Sequence, residues 1–239
     1  MSVSTDEQIL RRDLAATCRL FGLYRLAHVD DGRITLRCAG GVLAKPDDVA
    51  FDRMTAADAV FIPDAAATDP ETRVDADTLA IHRAVLAARP EAMAIIEVTG
   101  SAAGAVASGQ AGVLPISQFS MQFYNRLGVE ELAGAGDNQD AGRRTAAALG
   151  QHLGVIRRHR GMLVCGRTVP EAFVFMFYLI RSCQIQVQAM TGGGELVLPS
   201  DAVAEHTARQ YERDPTPGGK REWPALLRLV ERVAPGFDR

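Results

Sequence analysis

Cysteine is scarce in this chain and never paired in sequence. Cys18, Cys38, Cys165 and Cys183 stand far apart with no Cys-x-x-Cys step among them. That excludes a zinc ribbon and a dithiol redox motif. Cys18, Cys165 and Cys183 fall on apolar faces or runs and are expected to be buried, reduced thiols. Long apolar runs are missing too: the longest, residues 172–180, is far too short to span a bilayer. The first eight residues are polar and acidic rather than apolar, so no secretory signal is expected and the reducing cytoplasm is the default location. Nor is there a strong charge of one sign. A net charge of −3 gives no global basic field for nucleic acid or an anionic membrane. The densest basic cluster, Arg157-Arg158-His159-Arg160, is too short for a nucleic-acid arm, and Arg157 and Arg158 read as a solvated segment.

What is present is apolar and interleaved. The chain has 239 residues, 47% of them hydrophobic, which is ample for a core. Thr5 with Gln8 forms a capping box ahead of Ile9, Leu10, Leu14, Cys18 and Phe21 at helical spacing. Strand-like runs at 33–37 and 41–44 meet at Gly40-Gly41, a turn follows at 45–48, and another strand is expected at 59–62. Residues 75–88 read as a helix with Leu79, His82, Val85 and Leu86 on one face. The run from Ala92 stays apolar until Glu97, the pattern of a buried strand ending in a polar position. Residues 100–108, small and Ala-rich, read as a helix packed closely on a strand; 121–127 and 137–149 read as helices, and 161–165 as a strand. Thr168 with Glu171 makes a second capping box, with Pro170 in the first turn of a helix to about residue 190. That helix is apolar almost all round in its first half, as a buried helix must be. A polar linker at 214–221 leads to a last helix at 223–233. With no repeat and no boundary, residues 1–239 are expected to form one layered α/β domain.

The stretch Ile81-His82-Arg83-Ala84-Val85, then Ala88-Arg89-Pro90 and Ala94-Ile95-Ile96, resembles the helix-to-strand unit of the class II aldolase/adducin family. Leu114-Pro115-Ile116-Ser117-Gln118 and the run from Gly161 through Thr168-Val169-Pro170-Glu171 to Phe173 continue the likeness. The resemblance runs from about residue 8 to the end and is nearest to the bacterial adducin-like branch. It implies an α/β/α sandwich with a mainly antiparallel central sheet, and a homotetramer with active sites between subunits.

Catalytic members of that family hold a divalent metal with three histidines, and the matching positions here are Glu97, Thr99 and Arg160. His159 stands where the family has asparagine, and Thr78 where it has a catalytic glutamate. Threonine is a poor ligand and arginine has no lone pair to give. A guanidinium a few ångströms away repels a divalent ion by several kcal/mol even at an effective dielectric of about 20. The resemblance therefore implies a site with no metal and no other cofactor, in which Glu97 and Arg160 face each other as a charge-assisted pair. The family's anion-binding turn reads Lys45-Pro46-Asp47-Asp48, with Arg33 at its asparagine position. Asp47 and Asp48 would repel a phosphate whereas Lys45 and Arg33 would attract one, a mixture that counts against a sugar-phosphate substrate. Gln118 and Tyr124 lie in a segment the family places near the site; packing and backbone hydrogen bonding are their alternative roles. His82 reads as a core or interface histidine, and Phe173, Phe175, Phe177 and Tyr178 as core aromatics rather than a cofactor box. His28, His152 and His206 have no supporting constellation.

Two functions follow as expectations. The first is a metal-independent lyase or isomerase acting on a small oxo or hydroxy acid. Glu97, Arg160 and His159 would be its catalytic groups, with Thr78, Thr99, Gln118, Arg33, Lys45 and Tyr124 binding substrate. The second is a non-catalytic scaffold or ligand sensor, as the adducin head is to the aldolases.

Overall fold

The computed structural model describes residues 4–27, 31–64, 72–132, 138–213 and 215–239. Its centre is a seven-stranded sheet in the order β3-β2-β1-β4-β7-β6-β5. The strands are β1 (Gly32–Cys38), β2 (Gly41–Ala44), β3 (Val60–Pro63), β4 (Ala94–Val98), β5 (Leu127–Glu130), β6 (Gly154–Arg157) and β7 (Gly161–Gly166). Every neighbouring pair is antiparallel except β5 with β6, which a crossover helix, α5 (Asn138–Leu149), joins in parallel.

Side-chain alternation splits the core in two. On β4, Ala94, Ile96 and Val98 enter one apolar cluster with α1 (Thr5–Tyr24), α3 (Ser101–Ser108), α6 (Val169–Thr191) and α8 (Trp223–Val233). Ile95 enters the other, under α2 (Ala76–Ala88) and α5. Helices thus cover both faces, the α/β/α sandwich that the resemblance implies. The two helices of the second face touch closely because Gly142 has no side chain: a Cβ there would stand 2.8 Å from that of Ala84. On the first face, Phe173 packs against Phe21 and Trp223, so the aromatic run serves the core as expected. Cys18, Cys165 and Cys183 are buried and free. Burial pushes the thiols of Cys18 and Cys183 up to about 12, consistent with inert core residues.

Several sequence expectations change. The N-cap of α1 is Ser4, whose side chain accepts from Glu7 N, rather than Thr5. Residues 121–127 are not a helix. A four-residue α4 (Gln118–Met121) ends there, Asn125 takes φ 55°, and β5 begins. Helix α7 (Asp201–Glu212) lies in a stretch that sequence patterning left unassigned. The expected helix start at Asp137 and linker start at Asp214 lie outside the described residues. Among the described residues, no helix is long and apolar enough to cross a membrane.

A buried charge cluster and the candidate active site

The site grows from the polar exceptions on the second face. Glu97 shares its face of β4 with Ile95, yet it carries a carboxylate and is only 7% exposed. A buried carboxylate requires partners, and three neighbouring elements supply them. Arg157, at the end of β6, donates from Nη1 to Glu97 Oε1 and from Nε to Glu130 Oε2 at 2.8 Å. Glu130 lies beside Arg157 in the parallel pairing and also accepts from Thr145 Oγ1 of α5 at 2.8 Å. From α2, His82 reaches down between strands: Nδ1 contacts Thr35 Oγ1 of β1 at 2.8 Å, and Nε2 stands 3.5 Å from Glu97 Oε2. The result is a continuous buried chain, Thr35–His82–Glu97–Arg157–Glu130–Thr145, with the guanidinium of Arg157 at its centre.

Two opposed effects set the charge of Glu97. Burial pushes its carboxyl up, but the His82 imidazole and the Arg157 guanidinium more than offset that, and the group is held below the ordinary glutamate range. Arg157 is likewise opposed by burial and held charged by Glu97 and Glu130.

The expected partner of Glu97, Arg160, is not the one observed. Arg160 is exposed in the loop between β6 and β7, and Arg157, three residues earlier, takes the carboxylate. The reason is strand geometry. Arg157 and Val155 point to one face of β6, the face that holds Glu97, whereas 158–160 form the turn. The expectation that Arg157 is solvated is therefore corrected: it is 2% exposed. Arg158 is also engaged, donating to the carbonyls of Gly109 and Gln110 at the C-terminal end of α3.

The turn depends on one glycine. His159 takes φ 60°, and Gly161 takes φ 115°, where a Cβ would stand 2.1 Å from Val98 O. Gly161→Ala is expected to cost roughly 2–3 kcal/mol of stability, from left-handed strain plus that clash, measured by urea denaturation.

The other sequence candidates are placed as follows. Thr99 is exposed, and its Oγ1 donates to Asp31 O at 3.1 Å. Thr78 sits in the first turn of α2, its N and Oγ1 both on Asp75 Oδ2. Arg33 lies directly across from Glu97 in the sheet but forms an ion pair with Asp47 at 3.2 Å. Lys45 is 2% exposed, donates to Pro46 O at 2.8 Å and lies 4.7 Å from the Phe51 ring centre. Burial pushes its ammonium below the usual lysine range. Gln118 is exposed at the start of α4, and its carbonyl accepts from the Tyr211 hydroxyl at 3.3 Å. The Asp201 carboxylate pushes the Tyr124 phenol up. His159 is exposed beside Arg160. His28 lies outside the described residues. Sequence reasoning missed Arg157 as a partner, along with Glu130, Thr145 and Thr35. The alternation Val155, Arg157 was the available signal.

The donors at the family's metal position do not fit a divalent ion. Glu97 Oε1 is bonded to a cation, Thr99 donates its hydroxyl to a carbonyl, and Arg160 offers no lone pair. Among the described residues, no group of three or more His, Cys, Asp and Glu side chains is arranged to hold a metal.

A mainly antiparallel sheet between two layers of helices, with a buried charge cluster built from β1, β4, β5, β6, α2 and α5, is the α/β/α sandwich of the class II aldolases. Comparison with known proteins agrees. The family profile described as Class II Aldolase and Adducin N-terminal domain matches residues 12–187. A Pseudomonas aeruginosa protein, named provisionally as a class 2 aldolase, is 30% identical over 98% of this chain and 94% of its own length. Mouse gamma-adducin is 29% identical over 79% of this chain, which spans 28% of that longer protein. The crystal structure of an aldolase II superfamily protein from Pseudomonas syringae superposes with TM-score 0.90 at 29% identity, over 99% of this chain and 98% of that one. The chain belongs to the class II aldolase/adducin family.

Proposed function

We propose that this protein binds a small oxo or hydroxy acid without a divalent metal and performs lyase or isomerase chemistry on it. The observation that carries this reading is the Arg157 guanidinium bonded to Glu97, a fixed cation on the residue that matches one of the metal ligands of catalytic relatives. A fixed guanidinium stabilises developing negative charge on an enolate or carboxylate as a metal would, with no ligand shell to maintain. Glu97, held charged by Arg157, acts by holding that cation in place. His159, in the adjoining turn, is the group left to carry a proton. The turn at 45–48 argues against a sugar phosphate as substrate. Asp47 takes Arg33, Asp48 takes Arg73, and Lys45 is buried under Phe51. By family likeness the working unit is a homotetramer.

One observation favours a second reading, a non-catalytic adducin-like scaffold or ligand sensor. Glu97 Oε1 is taken by Arg157 and Oε2 faces His82, so the cluster offers no free carboxylate base. One experiment separates the two. A panel of small oxo and hydroxy acids is screened by thermal shift with and without EDTA, and each stabilising ligand is followed by proton NMR for turnover. Stabilisation in EDTA with turnover supports the enzyme, and stabilisation without turnover supports the sensor. Stabilisation abolished by EDTA contradicts the metal-free reading itself.

A further inference from the structure

A cavity of about 480 Å³ opens at the end of the sheet away from Glu97 and Arg157. Its size is within the range of small-molecule sites, about 300–1,000 Å³. Ala92 before β4, Leu153 before β6 and Cys165 near the end of β7 line it, whereas Glu97 and Arg157 lie at the other ends of β4 and β6. Phe175 and Tyr178, one turn apart on α6, give it an aromatic wall. Phe119 of α4 stacks on Tyr178 with ring centres 4.9 Å apart, and Gln122, one turn further along the chain, lines the same cavity. The segment 215–222 forms a further side, held to α6 by Gly218 N, which donates to Glu171 Oε1 at 3.2 Å.

The charges of this wall are balanced. Among the described residues it carries four cationic and four acidic side chains. Arg89 pairs with Glu91, Arg167 with Glu171 at 2.7 Å, and Glu212 with Arg126 at 2.8 Å. The cavity therefore has no net charge to offer an ion. What it leaves unmatched is an amide. Gln122 is only 8% exposed, and its Oε1 is buried with no hydrogen-bond partner among the described residues. A buried acceptor without a donor is costly, and one that lines a cavity can be met by a ligand.

The structure assigns this cavity as a binding site for a neutral, flat ring that carries an amide edge, an N–H beside a C=O. The faces of such a ring suit the Phe175 and Tyr178 side chains. Its N–H donates to Gln122 Oε1, and its carbonyl accepts from Gln122 Nε2. Rotation about the last torsion of the glutamine presents either end of the amide. The assignment goes beyond the chemistry proposed for the charge cluster and does not rest on it: the two lie at opposite ends of the sheet, so an oxo-acid screen that finds nothing leaves this site standing.

The test is ligand-observed proton NMR on the full chain, with uracil and nicotinamide as neutral probes and benzoate as a flat anion, each titrated to millimolar concentration. Uracil or nicotinamide is expected to bind, and benzoate to bind more weakly. Gln122→Leu removes the amide at similar volume. It should weaken the neutral probes about tenfold, the worth of a lost hydrogen bond, while the urea midpoint stays the same or rises because the unmatched acceptor is gone. Tyr178→Leu removes the ring face, leaves Gln122 in place and should weaken the same probes. Arg53→Gln, at an exposed side chain outside the cavity, should change nothing. Equal affinity in wild type and both cavity variants, benzoate bound in preference, or no binding by either neutral probe would overturn the assignment.

Discussion

Arg157→Ala is expected to lower the unfolding free energy by about 3–5 kcal/mol, the range for removing one partner of a buried ion pair. The loss comes less from the bonds themselves than from what they leave behind. Glu97 would keep its buried position with His82 as its remaining neighbour, and Glu130 would keep Thr145 alone. Equilibrium denaturation in urea reads this directly. The double variant Arg157→Met with Glu97→Met is expected to be more stable than Arg157→Ala, because it leaves one buried carboxylate, Glu130, without its cation where Arg157→Ala leaves two. If Arg157→Ala instead changed stability by less than about 1 kcal/mol, as exposed pairs do, the cluster would be ornamental.

The second large effect is a reversal in pH dependence. In the native protein Glu97 is held below its ordinary range, so its contribution is present above the unfolded glutamate value and disappears as pH falls through the lower folded value. In Arg157→Ala, burial is opposed by His82 alone, and Glu97 is expected to move above its unfolded value. The sign then inverts: the variant binds a proton on folding and loses stability as pH rises between the two values, at up to about 1.4 kcal/mol per pH unit. Denaturation midpoints measured from pH 4 to pH 8 should therefore diverge, with the gap between wild type and variant widest at the alkaline end. A gap that narrows with rising pH would mean that Glu97 is not the group left unpaired.

How much of this was legible in the sequence depends on what each residue's neighbours are. The β1–β2 hairpin, β4, α2 and α6 are written in local signals: Gly40-Gly41 at the turn, an unbroken apolar run to Glu97, the helical spacing of Leu79, His82, Val85 and Leu86, and the Thr168 cap. Strands β5 and β6 carry only four residues each, too few for alternation to stand out, and β5 follows a segment whose apolar spacing mimics a helix. That short-strand ambiguity also hid Arg157. Within a run of three arginines and a histidine, nothing local says which side chain turns inward. The β6 pairing with β7 decides it by placing 158–160 in the turn and Arg157 in the ladder. Glu97 was legible as an anomaly in an apolar strand, but the identity of its cation is a tertiary fact. Family likeness narrowed the choice to the right corner of the fold and then favoured Arg160, because it compares positions in the chain and not the directions of side chains.

The measurement that bears most directly on the Arg157 guanidinium as substitute for a metal is elemental analysis of protein grown with zinc, iron and manganese, paired with thermal unfolding in EDTA. The expected result is far less than one metal per chain and an unchanged Tm. One equivalent of metal per chain, bound through Glu97 and lost in Glu97→Gln, would contradict it.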